Sequence, residues 1–408
     1  MLKNANLFNG KEKNLKEKAA ILIENERITK ILEAPSDEDI SALSKEYEVG
    51  EIIDVKEHVV MPGLIDCHIH LDMHGMADTF DENFVEDKLR SIRAAKEMEK
   101  TLMCGITTVR NCGSVNWIDI TVKEAIDRGI IHGPRVLTSG KIICITSSGT
   151  DYFCDLYREA DGYVGFKNAA REQIKMGADF LKIMATGAIM NPGSVAGATQ
   201  PDLEEIVAVV EEAGKLNKKV AAHAHGAEGI KIALEAGVDT IEHGTFADDE
   251  VHQMMIDKQV YLIPTLAPDY YMTKFGKKGG VAPFMVEKLK EKKEARIESL
   301  SRAVQNGVKI AVGSDAGTPY NYHKNNANEL MVIVNEGIMS AADALVCATN
   351  NSSEACGISD NVGTLEPGKI ADIVVVKGNP LANIEVLTRS ENILLVMKEG
   401  VKFKNLIG

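Results

Sequence analysis

Five of the ten histidines fall in three short apolar stretches: His68 and His70 in GLIDCHIHL, His223 and His225 in KVAAHAHG, and His243 in DTIEHGTF. Lys182 lies inside the apolar run DFLKIMATG, and Asp315 closes VKIAVGSDAG. Side chains alternate along a strand, so residues at i and i+2 share a face roughly 6.5–7 Å apart. Two imidazoles at the spacing of His68 and His70 can converge on one cation; a turn or a packed histidine would give the same pair. Imidazole and carboxylate together suit zinc or a similar first-row divalent ion. A lysine within a buried strand is costly unless it is neutralised or paired. Lys182 is therefore either a lysine snorkelling at a rim or an amine that has reacted with CO2. The resulting carbamate is an anion able to bridge two cations.

Such a set must be positioned by regular elements, and the middle of the chain supplies them. Candidate strands are GLIDCHIHL, ITTVRNC, PRVLTSG, DFLKIMATG, KVAAHAHG, DTIEHGTF, VYLIPTLAP and VKIAVGSDAG. Helical segments such as FKNAAREQIKMG and LEEIVAVVEEAGKLNK separate them, several ending on a glycine C-cap. Strands alternating with helices predict a parallel sheet. Eight units favour a closed α/β barrel, (β/α)8, over an open sheet. His68, His70, Lys182, His223, His243 and Asp315 then come from strands one, four, five, six and eight, near the rim where barrels build their chemistry. The two ends read differently. Residues 1–60 and 359–408 hold short apolar runs broken by charges and turns, as strands and hairpins are. Neither end could form its own core. The expectation is one discontinuous β-sandwich, 1–60 with 359–408, beside a barrel of residues 61–358.

Composition narrows the partners. Lys+Arg is 46 and Asp+Glu is 60, a net charge of −14, which disfavours nucleic acid and anionic membranes. No apolar run reaches the ~18 residues of a membrane helix, and the start MLKNANLFNGKEKNLKEK lacks the apolar stretch of a signal peptide. Seven cysteines without a CxxC pair read as free thiols of a reducing, cytoplasmic compartment. Gly363–Lys369 spells GxxxxGK, but Ile370 and a strand follow it, so it reads as a turn rather than a phosphate loop. GSDAG has Asp315 at the wrong place for a nucleophile elbow.

At this point the chain resembles the amidohydrolase superfamily, in its imidazolonepropionase-like and Xaa-Pro dipeptidase or carboxypeptidase branch. The matching motifs are MPGLIDCHIHL, GITTVRN, GADFLKIMATGA, KVAAHAHG, IEHGT, VGSDAG and GTLEPGKIADIVVV with NPLANI. They run through nearly the whole chain in the family's order. The resemblance implies that His68 and His70 bind the more buried of two metals. Asp315 matches the carboxylate ligand that also shuttles the proton. Lys182 matches the carboxylated lysine bridging both metals, and His223 and His243 match the ligands of the second. Relatives lacking this lysine hold one metal, as deaminases and imidazolonepropionase do. Lys182 therefore points to two divalent ions, zinc above all, and to amide hydrolysis. Two such cations lower the proton affinity of water between them.

The substrate is less defined. His225 shares a face with His223 and resembles a position contacting substrate in the branch that cleaves dipeptides and N-acyl amino acids. Where relatives carry TGGHGD, this chain has Thr146-Ser147-Ser148-Gly149-Thr150-Asp151, so the loop histidine is missing. Arg110 could hold a substrate carboxylate or form a structural ion pair. His323, Tyr270 and Tyr271 follow strands seven and eight and could line the pocket, whereas His74 reads as a loop residue. A homo-oligomer acting on a small molecule is expected. The alternatives are a cyclic amide hydrolase of imidazolonepropionase type and an inactive barrel serving assembly, as some dihydropyrimidinase relatives do.

Overall fold

The computed structural model describes residues 1–407. The barrel is assembled from two parallel sheets and one irregular segment. Leu64–Ile69, Ile106–Asn111 and Arg135–Thr138 are the first three barrel strands. Leu181–Met184, Val220–Gly226, Thr240–Phe246 and Tyr261–Ile263 are the fourth to seventh. Two short strands, Ile142–Cys144 and Tyr157–Glu159, extend this second sheet beside the fourth strand. The sheets meet where Asp179 N and Phe180 N both donate to Thr138 O, at 2.7 and 3.3 Å.

The eighth strand departs from expectation. Residues 309–316 form only isolated bridges, Leu262 to Ile310 and Ile69 to Ala316. The segment still closes the ring: Ala311 N donates to Leu262 O at 3.0 Å, and Cys67 N donates to Val312 O at 2.8 Å. Gly313 explains the irregularity. A Cβ there would lie 2.6 Å from His68 Cβ and 2.5 Å from Ile263 Cγ2. Only a residue without a side chain lets the backbone wedge between the first and seventh strands.

Helices return the chain between strands, and their glycine ends are as expected. Gly177, Gly237 and Gly307 take φ of 112°, 95° and 88° after Gly162–Met176, Ala227–Ala236 and Pro283–Asn306. This is the left-handed region that glycine enters without a Cβ penalty.

The two chain ends pair into one mixed sheet of eight strands. Its order is Val401–Asn405, Ile393–Lys398, Ile373–Val376, Val59–Pro62, Leu2–Leu7, Lys16–Glu24 and Arg27–Leu32, with Ile53–Asp54 also on Leu2–Leu7. Val59–Pro62 is central: antiparallel to Ile373–Val376 and parallel to Leu2–Leu7. Alternation gives it two buried faces. Val59 and Met61 join the barrel core, as do Val374 and Val376. Val60, Ile373 and Val375 join a second core with Leu2, Ile21 and Leu395. The sheet thus packs against the barrel on one side and encloses its own apolar layer on the other. Arg135 bolts it to the third barrel strand through Asp372 at 2.8 Å and Glu399 at 2.7 Å. Among the described residues, no helix is long and apolar enough to cross a membrane.

Candidate metal centre

Parity on the first strand brings His68 and His70 inward together. His68 Nε2 lies 3.7 Å and His70 Nε2 3.5 Å from Asp315 Oδ1. Asp315 reaches them because Asp315 N donates to His68 O at 2.7 Å and its own φ is +53°. A second group gathers His223, His225 and His243, and in each triad the ligating atoms all lie within 4.8 Å of one another. The two triads adjoin, with the His68 and His243 rings 5.1 Å apart. Lys182 and both triads line one solvent-open cavity of about 690 Å3.

Four of the five imidazoles are oriented by a partner on the far nitrogen, which leaves the other nitrogen for a ligand. His68 Nδ1 donates to Glu242 Oε2 at 2.7 Å, and His70 Nδ1 donates to Gly113 O at 3.0 Å. His225 Nδ1 pairs with Thr245 Oγ1 at 2.7 Å, and His243 Nδ1 with Thr265 Oγ1 at 2.6 Å. Thr265 also accepts from Arg296 Nη2 at 3.1 Å. Arg296 comes from the long helix Pro283–Asn306 and is paired with Asp269.

Burial holds all five rings neutral. It lowers His68 to about 3, with the Lys182 charge adding to it, and it lowers His70, His223, His225 and His243 as well. Neutral imidazole is the form that binds a cation. Burial pushes Asp315 up to about 6 against the pull of Lys182 and Arg296. Burial also opposes charge on Glu242, yet Arg110, Lys182 and the His68 hydrogen bond together hold it well below the usual carboxylate range. Lys182 Nζ and His223 Nε2 are among the buried atoms without a hydrogen-bond partner. An orphaned amine and imidazole beside neutral histidines and a carboxylate make a donor set that fits divalent ions.

Other sequence candidates lie elsewhere. Arg110 is buried below the ligands and does not line this cavity, donating to Cys67 O at 2.6 Å, Thr240 Oγ1 at 3.1 Å and Glu242 Oε1 at 2.6 Å. Of its two readings, the geometry provides the structural ion pair and takes Arg110 away from substrate. His323 is also buried outside the cavity, bonding Met73 O through Nε2 at 2.9 Å. It is spent on holding the loop after the first strand and does not face a substrate. Tyr270 and Tyr271 do not line this cavity either. His225, expected at the substrate, lines the cavity and belongs to the second histidine group.

Sequence reading passed over Glu242, Thr265, Arg296 and Asp269. Glu242 had a signal, an acid in the middle of a strand that must be buried. The others are bound to the site only by contacts across the fold.

The amidohydrolase family model matches residues 59–402, and the chain belongs to that family. It is 29% identical over 377 residues to the ochratoxinase of Aspergillus niger, covering 85% of this chain and 76% of that one. It is 24% identical over 396 residues to the imidazolonepropionase of Geobacillus kaustophilus, covering 88% and 84%. Among solved structures, a Xaa-Pro dipeptidase with methionine bound in its active site superposes at a TM-score of 0.89 with 32% identity, covering 99% of both chains. The A. niger ochratoxinase structure gives 0.89 at 27% identity, covering 99% and 95%. Family and histidine-rich cavity together define an amidohydrolase-family hydrolase acting on C–N bonds.

Proposed function

We propose that the protein hydrolyses an amide bond of a small substrate, an N-acyl amino acid or dipeptide, at a binuclear metal site. The observation that carries this is the convergence of two ligand triads and Lys182 on one cavity. In this reading His68, His70 and Asp315 would hold one divalent ion and His223 and His243 the other, with carboxylated Lys182 as a further ligand and His225 in support. Zinc is the favoured ion; bound there, it would lower the pKa of water and polarise the scissile carbonyl.

The chain's own residues do the rest. Asp315 accepts the proton of the attacking water and returns it to the leaving nitrogen. Glu242 and Arg110 keep His68 in the tautomer that offers Nε2. Met73, Met184, Met190, Met272, Phe153 and Leu289 wall the cavity above the ligands. They give an apolar side chain or acyl group its place and exclude water from the reacting bond.

The relatives named as a Xaa-Pro dipeptidase and an ochratoxinase support a linear amide over a cyclic one. Lys182 supports it too, and a full ligand set has no purpose in an assembly barrel. The same reading places the enzyme in the cytoplasm as a homo-oligomer, with a barrel of residues 61–358 and an end domain of 1–60 and 359–408. The test is elemental analysis and a panel of dipeptides, N-acyl amino acids and cyclic amides offered to zinc-loaded protein. About two ions per chain and turnover of linear amides are expected. Asp315→Asn should keep the fold and lose about 10²–10⁴-fold in turnover, because an amide accepts no proton. No bound metal after zinc supplementation, or near-normal turnover in that variant, would refute the reading.

A further inference from the structure

The closed end of the barrel holds a pair of thiols that the proposed hydrolysis does not use. Cys67, fully buried on the first strand, lies with its Sγ 3.6 Å from Cys356 Sγ. Cys356 follows the short helix Ser352–Ala355 and is half-buried. It lines a second solvent-open cavity of about 690 Å3 with Arg110, Lys219, Phe180 and Asn217. Cys67 lines no part of it, so the two thiols differ in access: one faces a solvent-filled space, the other waits behind it. Arg110 and Lys219 line that space together with one carboxylate, Asp179, and a neighbouring cation favours a thiolate. The Cys67 hydrogen bond and the Arg110 charge lower the Cys356 thiol despite its burial.

We propose that Cys67 and Cys356 are a reversible oxidation site at the foot of the barrel, closed to a disulfide by hydrogen peroxide or a similar small peroxide. Cys356 sulfur attacks one peroxide oxygen; an S–O bond forms, the O–O bond breaks, and hydroxide leaves to become water. Cys67 sulfur then attacks Cys356 sulfur, an S–S bond forms, and the sulfenic oxygen leaves as a second water with the Cys67 proton. Two thiols lose two electrons and one peroxide gains them. From 3.6 Å the sulfurs need close only about 1.6 Å to reach bonding distance. The bond would tie the first strand, one residue from His68, to the segment that follows the barrel. Cys67 is also tied to Arg110, whose Nε donates to Cys67 O at 2.6 Å, and through Arg110 to Glu242 and His68.

The test treats the full-length protein with graded hydrogen peroxide, alkylates remaining thiols and maps peptides by mass spectrometry without reduction. The expected result is a Cys67–Cys356 cross-linked peptide, reversed by dithiothreitol. It should form at lower peroxide than any oxidation of Cys154, the exposed cysteine that serves as internal comparison. Cys356→Ser should abolish the cross-link. The wild-type map decides the matter even if that variant folds poorly. Sulfinic acid accumulating at Cys356 without cross-link, or oxidation confined to Cys154, would overturn the proposal.

Discussion

Lys182 shows how strongly one residue can bias the site. A plain ammonium roughly 5 Å from a dication costs about 7 kcal/mol at an effective dielectric near 20. Its Nζ is buried without a hydrogen-bond partner; Glu242 and Asp315 attract it only through space. Carboxylation turns that repulsion into an anionic ligand, so Lys182→Ala should lower metal content and abolish turnover, and a short carboxylic acid in solution should partly restore both by filling the vacated space. Two metals and normal turnover in the variant would make Lys182 a simple rim lysine. This residue, the histidine pair and Asp315 were legible because each is a costly type inside an apolar strand. Glu242 carried the same signal, but that its side chain reaches His68 was not legible, for a geometric reason. Strand alternation allows only every second residue to face inward, yet Glu242 and His243 are consecutive and both reach His68. His243 has φ of +74° and Gly244 +60°, and this left-handed kink breaks the alternation. No period in the sequence announces it.

Among elements, the irregular eighth segment and the helix Ala267–Phe275 carry the sharpest expectations. Gly313→Ala forces a Cβ against His68 and Ile263. Overpacking of this kind costs about 1–3 kcal/mol, and chemical denaturation should show a loss in that range with weakened metal retention. Glu329, on Asn328–Asn335, accepts from Leu266 N at 2.7 Å and Ala267 N at 2.6 Å at the start of Ala267–Phe275. Burial nonetheless pushes its carboxyl up to about 8. Its folded value exceeds the ~4.3 of an unfolded glutamate, so the folded chain binds the extra proton. That contribution is complete below the unfolded value and is lost as pH rises through 8. Between pH 5 and 9 the Tm of the wild type should fall relative to Glu329→Gln, which cannot ionise; parallel Tm curves would contradict the assignment. The barrel strands were legible from their spacing. The eighth was over-read, because VKIAV has the composition of a strand while Gly313 and its neighbours serve as a wedge.

At the scale of the whole molecule, barrel and end sheet are coupled by charge as well as by apolar packing. Arg135 spans them with two carboxylates, one of them, Asp372, almost fully buried. Arg135→Met leaves Asp372 without its partner, and a broken buried pair costs about 3–5 kcal/mol. Urea unfolding should show that loss, while Glu399→Gln, which removes only the more exposed carboxylate, should cost far less. That the ends meet was readable from two apolar segments too short to stand alone. Their pairing order was not, because it is set by Val59–Pro62, four residues that look like a linker and serve as the central strand.

That strand has a temporal consequence. Val59–Pro62 runs through Gly63 directly into the strand bearing His68 and His70, and its antiparallel neighbour is Ile373–Val376. During synthesis Val59–Pro62 must wait, one flank unpaired, until one of the last-made strands leaves the ribosome. Pairings so distant in sequence form late and slowly. The last proposed ligand, Asp315, and the sheet that braces the first ligand strand are both made late, so metal acquisition belongs to the completed polypeptide rather than to the growing one.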